Sequence, residues 1–341
     1  MKSKILVTGG AGYIGSHTVV SLLESGHEVI IFDNLINSKK SVLKNIAAVS
    51  GREAEFIEGD VLDAPLLMEV FEKNNISAVL HFAGLKAVGD SMINPLSYYE
   101  NNVSGTITLL KAMEANNVFT LVFSSSATVY GDAKVMPISE LSPLSKPTNP
   151  YGNSKLVVED ILRDIQQADE RWKVAILRYF NPIGAHKSGQ LGEHPNGRPN
   201  NLLPLLSKVA IGHLPEILVY GSDHATPDGT GIRDYIHVSD LANGHLRALD
   251  KITRTGGIEE WNLGTGIGYS VLEVIAAFEE VTKQKIPYRF SSKRPGDVAE
   301  CWSDPSKASR DLDWTANLNL KDMVRDTWRW QTNCPTGYPD L

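Results

Sequence analysis

The sequence predicts an α/β fold built on a doubly wound parallel sheet, and three observations predict it. Short apolar runs alternate with longer helical patterns through the first half of the chain. The runs are β-branched and almost continuously apolar, as strands are when both faces of a sheet are covered. The first run feeds a turn in which glycines recur every third residue before a helix opens. Alternation of this kind specifies parallel strands joined by right-handed helical crossovers.

In order, the strand candidates are KILVTG, EVIIFDN, EFIEGD, AVLHFAG, TLVFSSS and VAILRYF. Helical patterns lie between them in YIGSHTVVSLLESG, SVLKNIAAVS, PLLMEVFEKNN, PLSYYENNVSGTITLLKAMEANN and NPYGNSKLVVEDILRDIQQ. The last begins with Asn149, a good N-cap, and Pro150, favoured at the first helical position. After Asn181 the character changes. NPIGAHKSGQLGEHPNGRPN is rich in Gly, Pro and Asn and reads as a long functional loop. Beyond it NLLPLLSKVAIG, VSDLANGHLRALDKI and SVLEVIAAFEEVT read as helices, and EILVYG and EEWNLGTG as strands. The expected division is a Rossmann-type module at 1–182, rejoined by segments around 234–268, and a smaller mixed α/β substrate module at 183–341.

Composition narrows the function. The 341 residues, 42% hydrophobic and 21% charged, are expected to build a globular core. The net charge of −7 is carried by interspersed residues. No basic run could track a phosphate backbone, so nucleic acid is not an expected partner. No apolar stretch approaches the roughly 18 residues of a membrane span. The apolar run in MKSKILVTGG stops after three residues, which predicts no secretory leader. Cys301 and Cys334 cannot build a disulfide framework, and the nine histidines are scattered. A cytoplasmic protein without a metal site is the expectation.

ILVTGGAGYIGSH places Gly9, Gly12 and Gly15 immediately after a strand and at the opening of a helix. Glycines there allow a tight turn and close approach of the backbone to a pyrophosphate, which the helix N-terminus then attracts. Asp33 ends the second strand, where a ribose-binding acid is expected; its charge would repel a 2′-phosphate and favours NAD over NADP. Asp60, after the third strand, suits either an adenine contact or a turn.

Tyr151 and Lys155 share one face of the helix that Asn149 opens. The ammonium, the helix N-terminus and a cationic nicotinamide ring would each favour the phenolate, making Tyr151 a usable base. A second Y-x-x-x-K, Tyr130 and Lys134, is followed by Gly-Asp and Pro137 and reads as a turn. Gly152, a poor helix former, suggests close approach to a neighbour. Ser126, after the fifth strand, falls at the carboxyl edge of the sheet, where open α/β folds bind ligands, although a plain run of loop serines would look the same.

Together TGGAGYIGSH, Asp33, HFAGLKAVGDS, FSSSATVYG and PYGNSK resemble the extended short-chain dehydrogenase/reductase superfamily. The closest resemblance is to the UDP-glucose 4-epimerase family, continued in RYFNPIGAH, PNNLLP, DGTGIRDYIHVSDLANGH, WNLGTG and GYPD, and so across nearly the whole chain. It implies a UDP-sugar whose C4 hydroxyl is deprotonated by Tyr151 while NAD takes the hydride, with Ser126 and Lys155 completing the catalytic group. For the cofactor it implies Tyr13, Ile14, Asn34, Asn37, Ser38, Val61, Phe82, Ala83, Lys86, Asn101, Tyr179 and Phe180 besides the residues above. For the substrate it implies Lys86, Asn181, Asn201, Leu202, Leu218, Tyr220, Arg233, Tyr235, Arg294 and Asp297. Taken alone, Arg233 and Arg294 would read as surface salt-bridge residues. A homodimer through 92–117 and 150–167 is also implied. Cys301 falls where members restricted to glucose and galactose carry tyrosine, which predicts a pocket that also admits UDP-GlcNAc and UDP-GalNAc; a buried structural cysteine is the alternative. Two other functions compete with this reading. A 4,6-dehydratase needs an Asp-Glu pair where Ala127-Thr128 stand, and a non-catalytic NAD-sensing module would not need Ser126, Tyr151 and Lys155 together.

Overall fold

The computed structural model describes residues 3–195, 201–294 and 297–339. The first half runs β1 (Lys4–Thr8), α1 (Tyr13–Glu24), β2 (Glu28–Asp33), α2 (Val42–Ser50), β3 (Glu55–Glu58), α3 (Ala64–Lys73) and β4 (Ile76–His81). It continues with α4 (Val88–Ile93), α5 (Pro95–Tyr99), α6 (Gly105–Ala115), β5 (Thr120–Ser126), α7 (Pro150–Ala168) and β6 (Lys173–Tyr179). All six expected strands form. They pair in parallel in the order β6-β5-β4-β1-β2-β3, the doubly wound arrangement.

The second half runs β7 (Asn181–Ile183), α8 (Leu202–Ala210), β8 (Ile217–Tyr220), β9 (Ile232–His237), α9 (Val238–Thr255) and β10 (Gly257–Leu263). Then follow β11 (Gly268–Ser270), α10 (Val271–Thr282), β12 (Tyr288–Ser291), β13 (Glu300–Cys301), α11 (Ser306–Leu312) and α12 (Leu320–Asn333). Strand β10 adds to the free edge of β6 as the seventh parallel strand, whereas β9 pairs with β7, β11 and β13 in a small separate sheet. Within 234–268, therefore, α9 and β10 belong with the large sheet and the end of β9 does not.

Two apolar layers cover the seven strands. Val19, Leu22 and Leu23 of α1 and Leu241, Ala248 and Ile252 of α9 pack on one face. On the other lie Leu67 and Val70 of α3, Leu109 and Met113 of α6, and Val158 and Leu162 of α7. A third cluster joins α8, α10 and α12. No helix among the described residues is long and apolar enough to cross a membrane.

Two local expectations change. The segment read as one helix from Pro95 is broken by a π-helical turn at Glu100–Ser104, a distortion often found beside functional sites. The loop read from Asn181 starts as strand β7. Its part at 196–200 lies outside the described residues, as do the first two residues of PNNLLP and the aspartate of GYPD.

Candidate active site

The site is assembled along the carboxyl ends of the sheet. At the end of β1, Gly9 has φ +70°, and a Cβ there would lie 2.6 Å from the Ala83 nitrogen. A Cβ on Gly15 would lie 2.2 Å from the Gly9 oxygen. Gly12 is the N-cap of α1, Tyr13 its first residue, and no side chain caps that helix. Its first-turn amides are thus left to a ligand. Asn37 and Ser38 line a crevice with Ala11, Gly12, Tyr13 and Ser16. These features fit a dinucleotide pyrophosphate. Ile14 packs into the layer beneath, and the Tyr13 hydroxyl donates to the Gly184 carbonyl at 2.7 Å.

Asp33, at the end of β2, organises the turn around it. It takes hydrogen bonds from the Ala11 amide (3.0 Å), the Leu35 amide (2.9 Å) and the Ser38 hydroxyl (3.0 Å). Burial pushes its pKa up, and these donors pull against it. Asp60 fills the turn role, with Oδ1 accepting from the Leu62 amide, while its Oδ2 accepts from Asn34 Nδ2 at 2.8 Å. Val61 is buried beside it. Phe82 and Ala83 leave β4 with both amides donating to the Thr8 carbonyl. The Tyr179 hydroxyl is hydrogen-bonded to His245 Nε2, and Tyr179 is buried. Phe180 is buried next to it.

Helix α7 begins as its sequence dictates, with the Asn149 side chain accepting from the Gly152 amide at 2.9 Å. A Cβ on Gly152 would lie 2.8 Å from Pro147 and 3.1 Å from Thr128, so glycine lets this turn seat against both. Lys155 is buried; its Nζ donates to the Ser124 carbonyl at 2.8 Å and stands 4.9 Å from the Phe123 ring centroid. Burial pushes its pKa down to about 8. Burial also raises the Tyr151 phenol above its ordinary 10.0, and the Ser126 hydroxyl draws it back. The expected fall is thus not produced by the chain itself: desolvation outweighs the Ser126 hydrogen bond. The other pair, Tyr130 and Lys134, is taken up elsewhere. Tyr130 is buried against Arg178 and Asn262, and Lys134 pairs with Asp132.

Four of the implied substrate residues gather at the small sheet, while Leu218 and Tyr220 lie on β8, which pairs with β12 instead, and Asn201 and Leu202 open α8. Arg233 and Cys301 are register partners across β9 and β13, and Asn181 and Tyr235 across β7 and β9. Arg233 stands 3.8 Å from Asp297, and the Arg294 guanidinium lies 3.9 Å over the Tyr220 ring. Leu218 shares the Tyr220 face of β8. Cys301 also packs on Ala127, Val129 and Phe180, which ties this cluster to the segment after Ser126. Burial lifts its thiol to about 11, which marks a packing residue rather than a reactive thiolate.

Two residues escaped the sequence reading. Glu193 Oε1 accepts from Asn201 Nδ2 at 2.7 Å and pairs with Lys86 at 3.3 Å, joining the cofactor side to the start of α8, where Leu202 follows. Asn102, next to the partly buried Asn101, brackets Leu85 with two hydrogen bonds to its backbone and reaches Ser154. No local signal marks either, because both act across the fold.

The NAD dependent epimerase/dehydratase family description matches residues 5–264. The UDP-glucose 4-epimerase of Bacillus subtilis is 55% identical over 334 residues, covering 98% of both chains. A crystal structure of UDP-glucose 4-epimerase from Bifidobacterium longum, in complex with NAD+ and UDP, superposes with a TM-score of 0.96 at 51% identity, covering 98% of this chain and 100% of that one. The UDP-Glc/GlcNAc 4-epimerase of Campylobacter jejuni gives 0.84 at 38% identity, covering 98% and 100%. With its glycine turn, its acid at the end of β2 and its Tyr151–Lys155 helix in place, the chain belongs to the NAD-dependent epimerase/dehydratase family, among its UDP-glucose 4-epimerases.

Proposed function

We propose that this protein interconverts UDP-glucose and UDP-galactose through a transient 4-keto sugar, with Tyr151 as the base. One observation carries the reading: Tyr151 and Lys155 lie on one face of α7 beside Ser126, at the carboxyl end of β5. Tyr151 takes the proton of the C4 hydroxyl, Ser126 hydrogen-bonds that oxygen, and Lys155 is held by Ser124 on the same face. NAD, when bound, supplies the acceptor and later the donor of the C4 hydride. Net oxidation is zero, so the residues around Gly9–Gly15 and Asp33 need to retain the cofactor between turnovers. Arg233 and Arg294, with Tyr220 and Asn201, hold the nucleotide diphosphate and leave the sugar free to turn. A coupled assay producing UDP-glucose from UDP-galactose with no added NAD tests this. NAD-loaded, folded protein that gives no turnover would sink it.

Further parts of the reading rest on particular contacts. Cys301 presents a small side chain beside Arg233, which supports a pocket that also interconverts UDP-GlcNAc and UDP-GalNAc. Ile93 is 75% and Leu96 82% exposed on α4 and α5, beside α7, and this apolar surface supports a homodimer through 92–117 and 150–167. Light scattering of the parent and of Ile93→Ser/Leu96→Ser decides; a monomeric parent removes the dimer. The free thiols of Cys301 and Cys334 suit a reducing cytoplasm. We assign cofactor binding to 1–182 with α9 and β10, and UDP-sugar binding to the remainder.

A further inference from the structure

Resting on Tyr151 as the base, we propose that Glu159 and Arg178 are positioning residues, a buried pair that fixes the rotation and axial position of α7 and so sets where Tyr151 and Lys155 meet Ser126. Tyr151, Lys155 and Glu159 follow one another at four-residue spacing, on one face of α7. Glu159 is fully buried, and its carboxylate uses both oxygens. Oε1 accepts from Ser125 Oγ (2.6 Å) and Arg178 Nε (3.0 Å); Oε2 accepts from Arg178 Nη2 (2.7 Å) and Arg163 Nη2 (3.0 Å). Burial opposes this carboxylate, but Arg178, Ser125 and Arg163 outweigh it and hold its pKa low.

The receiving strands make the geometry specific. Ser125 of β5 and Arg178 of β6 are register partners, so one carboxylate is bolted to two strands at once. On either side of Ser125, the Ser124 carbonyl takes Lys155 and Ser126 lies by Tyr151. Three consecutive residues of β5 thus each engage one of the three residues of α7. Behind the pair, Arg178 Nη1 donates to Tyr130 (2.9 Å), Tyr130 to Asn262 Oδ1 (2.7 Å), and Asn262 Nδ2 to the Ile138 carbonyl (2.9 Å). This chain anchors the segment after Ser126 to the same fork. Apolar packing alone is non-directional and lets a helix slide or roll, whereas a bidentate fork does not. A buried ion pair adds little net stability compared with matched apolar residues, so position and folding can be tested apart.

The experiment replaces the pair together, Glu159→Leu with Arg178→Met, in NAD-loaded protein. We expect a urea midpoint close to the parent and retained NAD, with kcat lower by about tenfold or more and KM little changed, because small misplacements of reacting groups are costly. The kcat–pH profile and the ultraviolet-difference titration of Tyr151, read against Tyr151→Phe, move together away from the parent. A folded, NAD-loaded double variant with parental kcat and pH profile overturns the proposal. If the double variant does not fold, Arg178→Lys and Ser125→Ala decide in the same way: a displaced profile supports the lock, and parental profiles in both overturn it. Full turnover by Tyr151→Phe would sink the base assignment instead. An inactive Tyr151→Phe beside unaffected pair variants would sink the lock alone.

Discussion

Lys155→Met is expected to make the protein more stable and far less active. Lys155 is 5% exposed, and burial takes its pKa from 10.5 to about 8. At ~1.4 kcal/mol per pH unit, keeping that ammonium charged in the fold costs roughly 3 kcal/mol. Between pH 8 and 10.5 the unfolded chain binds more protons at this site than the folded one, so stability rises with pH across that window. The cost is therefore fully present near pH 7 and gone by about pH 11. Methionine keeps the apolar stem and removes the charge, but the Ser124 carbonyl loses its donor, worth ~1 kcal/mol. The variant should be more stable than the parent by roughly 2 kcal/mol at pH 7 and less stable by about 1 kcal/mol near pH 11. Urea unfolding of both proteins, stripped of cofactor, at the two pH values measures the crossover. Epimerase turnover should fall by about two orders of magnitude or more, since the group beside the base is gone. A variant no more stable than the parent at pH 7, or a gap that does not change with pH, refutes the reasoning.

Gly15→Ala puts a methyl 2.2 Å from the Gly9 oxygen; the cofactor turn has to open, and purified protein should lose its bound NAD, read from absorbance after release. Cys301→Tyr fills the space beside Arg233 and should cut kcat/KM for UDP-GlcNAc by about 10- to 200-fold while sparing UDP-galactose. Equal losses on both sugars would show that Cys301 does not select. Arg294→Ala removes the cation over Tyr220 and should raise KM about three- to tenfold with kcat little changed, since this grip is equal in ground and transition states. A fall in kcat alone would place Arg294 in the chemistry instead.

What was legible in the sequence was what depends on neighbours along the chain. Five strands of the large sheet, β1, β2, β4, β5 and β6, were visible because nearly all their residues are buried, so their apolar character runs almost unbroken, whereas the edge strand β3 is only partly covered. Tyr151 and Lys155 could be placed together because four residues make one helical turn, and the Asn149 cap says where counting starts. The short strands β7, β11 and β13 carry two or three residues each and exist only because β9 pairs with them. The same limit hid Glu193, whose partners are 107 and 8 residues away in the chain. It also governs the phenol. Spacing located Tyr151 beside a cation but held no measure of how deeply both would be buried, and in this fold burial dominates each of their pKa values. With a pKa of about 8 Lys155 is still largely an ammonium near pH 7, but burial of the phenol works against the charge it brings. If Tyr151 is the base, as proposed, the fall in its pKa has to come from charge that arrives with the cofactor, and the proposed lock on α7 would set how closely that charge is met.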